Sequence, residues 1–246
     1  MIYVVGAGGY IGKTLKEYLE GKEYEVKGLY RGSPYPMGFS HKDVVINCAA
    51  RGWKDGDEDS SEVVESNIIL PMRLFERCNG ATMIHLSAGI ELIQPGGSLY
   101  AKTKGVASDF LRGKAHVLYL YTIWGGKHVQ MKRFMNTMIT ACAKNEPFTV
   151  QTPMHTRDFV HIDYLMTLIE SLLTDRKYKT IHVGTGKPVS FLSAFRLLTE
   201  ITGEKFDNVE IDTSDLSGFL YCSPEKTVPN TLAVDMAREW NVARAS

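Results

Sequence analysis

The sequence predicts an α/β fold: a doubly wound parallel sheet with helices on both faces, followed by a smaller C-terminal α/β lobe. Three observations predict it. Short apolar runs alternate with amphipathic stretches up to about residue 125, a glycine loop joins the first run to the first amphipathic stretch, and the pattern then loosens into helices and short strands. In chain order, "IYVV" (2–5), "YEVKGLY" (24–30), "DVVINCAA" (43–50), "TMIHLS" (82–87) and "AHVLYLYTIW" (115–124) read as strands. Their run-on Val, Ile and Leu content suits strands buried on both faces. Between them Ile11, Leu15, Tyr18 and Leu19 form a helical stripe, as do Leu165, Leu168, Ile169, Leu172 and Leu173 further on, and both stripes are expected to be core contacts. Later, "FTV" (148–150), "IHV" (181–183) and "VEI" (209–211) read as short strands among turn clusters such as "VGTGKP". The expected division is 1–125 for the sheet domain and 126–246 mainly for the lobe, with some segments returning to the sheet.

Composition narrows the partners. With 246 residues, 44% hydrophobic and 23% charged, the chain can bury one substantial core. Lys plus Arg (28) cancels Asp plus Glu (28), and no long run of one sign occurs, so neither a nucleic-acid groove nor an anionic membrane surface is expected. A small-molecule partner is the default. Cys48, Cys78, Cys142 and Cys222 show no CxxC or Cys/His ligand spacing, which argues against a disulfide framework and against a metal site. A strand begins at the first residues, leaving no room for a secretory leader, and no apolar run reaches membrane-spanning length. The expected location is the cytoplasm.

The stretch "VVGAGGYIGKTL" places Gly6, Gly9 and Gly12 between the first strand and the first helix, with Tyr10 and Ile11 opening the helix. A dinucleotide site needs this context: one glycine for a tight turn, one for backbone approach to a pyrophosphate, one for close packing of helix on strand. At the end of the second strand "GLYRGS" offers Arg31 and Ser33 and no acid. An acid there would hold a free ribose hydroxyl, whereas a cation suits a 2′-phosphate, so NADP is expected over NAD. "SLYAKTKG" (98–105) sets Tyr100 and Lys104 on one helical face, where an ammonium would lower a phenol pKa that starts near about 10. "YLEGK" repeats that spacing at Tyr18 and Lys22, so the motif alone does not choose between them.

The ordered segments "GAGGYIG", "DVVINCAA", "MIHLSAG", "YAKTK", "HTRDFVHIDY" and "IHVGTGKPVS" together resemble the short-chain dehydrogenase/reductase superfamily, within it the NAD(P)-dependent epimerase/dehydratase group that acts on nucleotide sugars. The resemblance runs from residue 2 to about residue 240. It implies a Rossmann-type sheet with a substrate-binding lobe. It also implies a catalytic set of Ser87, Tyr100 and Lys104, with Lys104 also bonding the nicotinamide ribose and Ser87 orienting the reacting oxygen. Ala49, Ala50 and Arg51 would line the cofactor. Arg157 would reach a substrate diphosphate, a task suited to a guanidinium, and Lys226 would assist. His161 reads as a structural histidine. Members of the family commonly pair through helices that would include the Tyr100 helix, so a homodimer is compatible with this reading.

Departures narrow the reaction. Ala88 and Gly89 follow Ser87 where sugar dehydratases of the group carry an Asp-Glu pair, and Gly89 stands where one epimerase type carries a Cys. The interval from Ser87 to Tyr100 is short (100 − 87 = 13), which implies a trimmed loop. Only "RGSPYPMGFSHK" joins the second strand to the third, so the usual extra helix and strand under the adenine are expected to be missing. Thr122 in "LYTIWGG" stands where many members place a substrate-binding Asn, and it counts among the cofactor-lining positions. The expected function is an NADP-dependent reductase of a keto-sugar nucleotide, with a 4-epimerase as alternative. Remoter alternatives are a serine hydrolase using Ser87, Asp158 and His182, and a cofactor-binding protein without turnover.

Overall fold

The computed structural model describes residues 1–52, 60–128 and 133–245. The chain divides into two compact units, residues 1–120 with 165–182, and residues 121–164 with 183–246.

The first unit opens with β1 (Ile2–Val5), α1 (Tyr10–Glu20), β2 (Val26–Leu29) and β3 (Val44–Asn47). One long helical passage follows, made of α2 (Ser60–Val64), a π-helical turn (Glu65–Ile69) and α3 (Leu70–Arg77). Next come β4 (Thr82–Ala88), the single turn α4 (Ile90–Ile93), α5 (Leu99–Leu111) and β5 (His116–Leu120). Between β2 and β3 no helix or strand intervenes, so that connection is a plain loop. The six-stranded sheet has the order β10-β5-β4-β3-β1-β2, where β10 is Thr180–Val183, and the pairings β1–β2, β1–β3, β3–β4 and β4–β5 are all parallel. Every residue of β3, β4 and β5 is buried, which explains why those strands read as unbroken apolar runs, whereas β2 lies at an edge and is less buried. The order reverses between β1 and β3. In open α/β sheets such a reversal leaves a crevice outside the carboxyl ends of the strands, where ligands bind.

Local sequence sets the helix ends. Ser98 caps α5, its Oγ accepting from the Ala101 N–H at 3.1 Å, and Pro71 sits in the first turn of α3, where a missing N–H costs nothing. On α1, Leu15 and Leu19 of the apolar stripe are buried while Ile11 and Tyr18 are half-buried.

In the second unit β6 (Thr122–Trp124) pairs with β9 (Phe159–His161), β7 (Phe148–Val150) with β12 (Val209–Ile211), and β8 (Thr156–Arg157) lies between β11 (Val189–Ser190) and β13 (Leu220–Tyr221). Helices α6 (Phe134–Ala143), α8 (Phe191–Thr202) and α9 (Leu232–Ala245) enclose its core, which includes Trp124, Met138, Leu198, Met236 and Trp240. Helix α7 (Ile162–Leu172) begins in the second unit, and its residues from Leu165 on belong to the first. The apolar run 115–124 is therefore not one strand: it breaks at Tyr121, and its last part belongs to a different sheet. No helix among the described residues is long and apolar enough to cross a membrane.

Candidate active site

The glycine loop is forced by backbone contacts. Gly6 has φ +77°, and a Cβ there would lie 2.8 Å from the Ala49 nitrogen, while a Cβ on Gly12 would lie 2.2 Å from the Gly6 carbonyl oxygen. Those two glycines are required by packing: Gly6 against the segment after β3, Gly12 for the approach of α1 to β1. Gly9 differs. Its Cβ would meet only the Gly6 oxygen at 3.4 Å, yet it is exposed and begins α1 with no side chain capping the helix. Bare backbone and a helix N-terminus thus face outward at Gly9, an arrangement that fits a pyrophosphate. Tyr10 is buried and Ile11 half-buried, so these two also anchor the helix.

The floor beside the loop comes from β3. Asn47 accepts from the Ala49 N–H through Oδ1 (3.1 Å), and the Cys48 N–H donates to Val5 O (3.0 Å), which fixes the turn that carries Ala49 and Ala50. Asn67, fully buried on the π-helical turn, clamps the next residue: its Oδ1 accepts from the Arg51 N–H (2.9 Å), and its Nδ2 donates to Arg51 O (2.8 Å) and to Thr103 Oγ1 on α5 (3.0 Å). A π turn inserted in a helix is a common device at functional sites. The Arg51 side chain pairs with Glu62, and its backbone N–H and carbonyl are both bonded to Asn67.

At the end of β2, Arg31 is exposed, and Ser33 Oγ accepts from the Tyr30 N–H (3.2 Å) in a turn with Gly32 at φ +79°. Tyr30 occupies the strand-end place where an acid would sit, its ring 3.5 Å from the position of a Cβ on Gly8.

Ser87, Lys104 and Tyr100 lie on β4 and α5. Lys104 is 1% exposed, and its Nζ donates to Leu86 O at 2.6 Å. Burial pushes its pKa down to about 8, opposed by the nearby Glu91 carboxylate. Ser87 donates to Glu91 Oε2 (2.5 Å) and accepts from Ser108 Oγ (2.8 Å). Tyr100 is half-buried, one helical turn from Lys104. The competing pair is spent differently: Tyr18 donates its hydroxyl to Glu170 Oε2 (2.5 Å), and the Lys22 ammonium lies 5.7 Å from the Tyr18 ring centre. Beneath Lys104, buried His85 takes a bond from Asn47 at Nδ1 (3.1 Å). Burial first, and then the charge of Lys104, holds its pKa well below the usual histidine range.

Sequence reasoning passed over Asn67, His85 and Glu91. A polar residue in an otherwise apolar run, as in "SNIIL" and "AGIELI", is the signal that finds the first and the last. A hydrolase nucleophile needs a histidine, whereas Ser87 is bonded to Glu91 and Ser108. His182 packs its ring 5.2 Å from that of Tyr119.

In the second unit, Arg157 sits among rings, its guanidinium 5.1 Å from the centre of Phe219, 5.4 Å from Phe191 and 5.8 Å from Tyr221. It makes no ion pair with a carboxylate among the described residues. Lys226 is exposed on a loop, and Thr122 is half-buried with its N–H donating to Asp158 O (3.0 Å). Asp158 is fully buried and accepts from the N–H groups of Thr185, Gly186 and Ser223, so its role is to tie that unit together. His161 is 2% exposed and satisfied by Glu239 at Nε2 (2.9 Å) and by Arg238. No group of three or more potential ligands placed to hold a metal occurs among the described residues.

The structure resembles several solved ones. RMD from Pseudomonas aeruginosa, complexed with NADPH, matches with TM-score 0.77 at 15% identity, covering 100% of this chain and 99% of that one. UDP-glucuronic acid 4-epimerase from Bacillus cereus, in complex with UDP-4-deoxy-4-fluoro-glucuronic acid and NAD, matches with TM-score 0.75 at 18% identity, covering 99% of each chain. The dTDP-4-dehydrorhamnose reductase of Bacillus anthracis, in complex with NADP, matches with TM-score 0.74 at 16% identity, covering 98% and 97%. At these identities the likeness establishes the Rossmann-type fold. The model of the NAD dependent epimerase/dehydratase family matches residues 2–184, well over half of the sequence, and the chain belongs to that family of NAD(P)-dependent enzymes.

Proposed function

We propose that the protein is an NADP-dependent reductase of a keto-sugar nucleotide, with a 4-keto group as its target and Tyr100 as proton donor. The observation that carries the reading is Lys104, an ammonium held inside the fold one helical turn from Tyr100 and beside Ser87 on β4. When bound, NADPH supplies the hydride. Tyr100 gives its proton to the oxygen that becomes a hydroxyl, and the positive charge of Lys104 eases the loss of that proton. Ser87 takes a hydrogen bond from that oxygen once it has become a hydroxyl. Gly9 and the start of α1 hold the pyrophosphate, Ala49, Ala50 and Arg51, the last fixed by Asn67, line the cofactor, and Arg31 with Ser33 takes the 2′-phosphate. In the second unit Arg157, its guanidinium resting on three rings without a carboxylate partner among the described residues, serves a substrate diphosphate, with Lys226 assisting and Thr122 lining the cofactor. Ala88 and Gly89 after Ser87 provide no acid–base pair for removing water, which supports reduction over dehydration.

A 4-epimerase would use the same Ser87, Tyr100 and Lys104 while keeping its cofactor oxidised at rest, and the likeness to the Bacillus cereus epimerase favours that second reading. The test is a panel of 4-keto-6-deoxy nucleotide sugars with NADPH or NADH, followed by absorbance of the reduced cofactor. Stoichiometric NADPH consumption supports the reductase. Turnover of a 4-hydroxy sugar nucleotide without net consumption replaces it with the epimerase, and absence of cofactor binding refutes both.

A further inference from the structure

The geometry points to Glu91 as a positioning residue of the proposed active site, fixing the direction of the Ser87 hydroxyl and serving as counter-charge to Lys104. The inference rests on reading Ser87 and Lys104 as working groups of that site. Glu91 is 4% exposed, on the one-turn helix α4 directly after β4. That immediate turn brings its carboxylate back over the strand, where Ser87 donates to Oε2 at 2.5 Å and the Ala88 N–H aims at the same group. Two donors turned on one acid suit an ionised carboxylate, since a protonated one needs an acceptor for its own proton. Burial raises the Glu91 pKa against these donors and against the charge of Lys104.

A serine hydroxyl has one proton and two lone pairs. At Ser87 the proton goes to Glu91, and one lone pair takes the bond from Ser108. The remaining lone pair can only accept. Ser87 is therefore set to receive a hydrogen bond from a hydroxyl, such as that of Tyr100 or of an alcohol product, and not to donate one to a carbonyl. The same carboxylate balances Lys104, beside which Cys48, a thiol pushed up to about 12 by burial, and His85, held neutral, bring no charge.

The test is NMR of the full chain labelled at lysine and glutamate side chains, with the Lys104 signal assigned through Lys104→Met. In the wild type the Glu91 carboxyl carbon at neutral pH is expected at the shift of a carboxylate, and a neutral acid overturns the proposal without any variant. Lys104 is expected to titrate near about 8, and Glu91→Gln to lower that midpoint by about one pH unit, as removal of a nearby opposite charge does. Glu91→Asp, which keeps the charge, is expected to stay within about half a unit of the wild type. An unchanged midpoint in Glu91→Gln overturns the assignment. These readouts need no turnover, so their appearance in a protein that never oxidises NADPH overturns the proposed reaction and leaves the assignment of Glu91 standing.

Discussion

Replacing Gly12 by Ala tests how the glycine loop is built. The new Cβ would lie 2.2 Å from the Gly6 carbonyl oxygen, 2.8 Å from the Gly6 carbonyl carbon and 3.1 Å from the Ala7 Cα, all of them backbone atoms. Relaxed carbon–oxygen contacts sit at roughly 3.3–3.6 Å, so α1 and the loop must part by about 1 Å. Overpacking of this kind costs typically about 1–3 kcal/mol, and with no side chain free to move the upper end applies. Alanine returns about 1 kcal/mol of helix propensity. The net loss is about 2 kcal/mol, or about 4–8 °C in Tm for a chain of this size. Gly9→Ala is the contrast, because its Cβ meets only the Gly6 oxygen at 3.4 Å. Its Tm should fall by no more than about 2–4 °C, the cost of a poorer N-cap, while its NADPH affinity falls at least about tenfold because the methyl stands before the helix N-terminus. Thermal unfolding by circular dichroism and NADPH titration by fluorescence read both. A Gly12→Ala protein melting within about 1 °C of wild type would refute the packing argument, and an unchanged NADPH affinity in Gly9→Ala would refute the pyrophosphate placement.

Two further outcomes follow from charge. Arg31→Ala should weaken NADPH binding about tenfold, the worth of one charge-assisted contact, and leave NADH binding unchanged; equal losses for both cofactors would remove Arg31 from the 2′-phosphate. Lys104 has a folded pKa of about 8 against a reference of 10.5, so between these values the unfolded chain binds more protons than the folded one. Its burial penalty is full below pH 8 and is relieved as pH rises toward 10.5. The stability of wild type relative to Lys104→Met should therefore increase from pH 8 to pH 10 in urea unfolding, and a flat difference would show that Lys104 titrates normally.

Much of the fold was legible because it is written locally. The strand, glycine loop and helix at residues 2–20, and the succession of strands along the chain up to β4, follow from apolar runs and turn residues that need no distant partner. The break at Tyr121 was not legible, since an apolar run continues through it and only strand pairing separates β5 from β6. At the site, Tyr100 and Lys104 stand out by spacing, but the partner of Lys104 is a backbone carbonyl on β4, which no side-chain pattern announces. Glu91 meets Ser87 only because the chain turns into α4 at once after the strand. Asn67 depends on a π turn that helical periodicity does not encode. The short interval between Ser87 and Tyr100, read as a trimmed loop, is the one sequence feature that pointed toward α4.

The most direct test of the proposed reaction is NADPH oxidation by wild type and Tyr100→Phe with a 4-keto-6-deoxy nucleotide sugar, alongside NADPH affinity for each. Loss of the phenol proton should abolish turnover while cofactor affinity stays within about threefold, because the substitution removes the acid and leaves the fold and the glycine loop intact. A Tyr100→Phe protein that oxidises NADPH at a rate close to wild type would contradict the assignment of Tyr100 as proton donor.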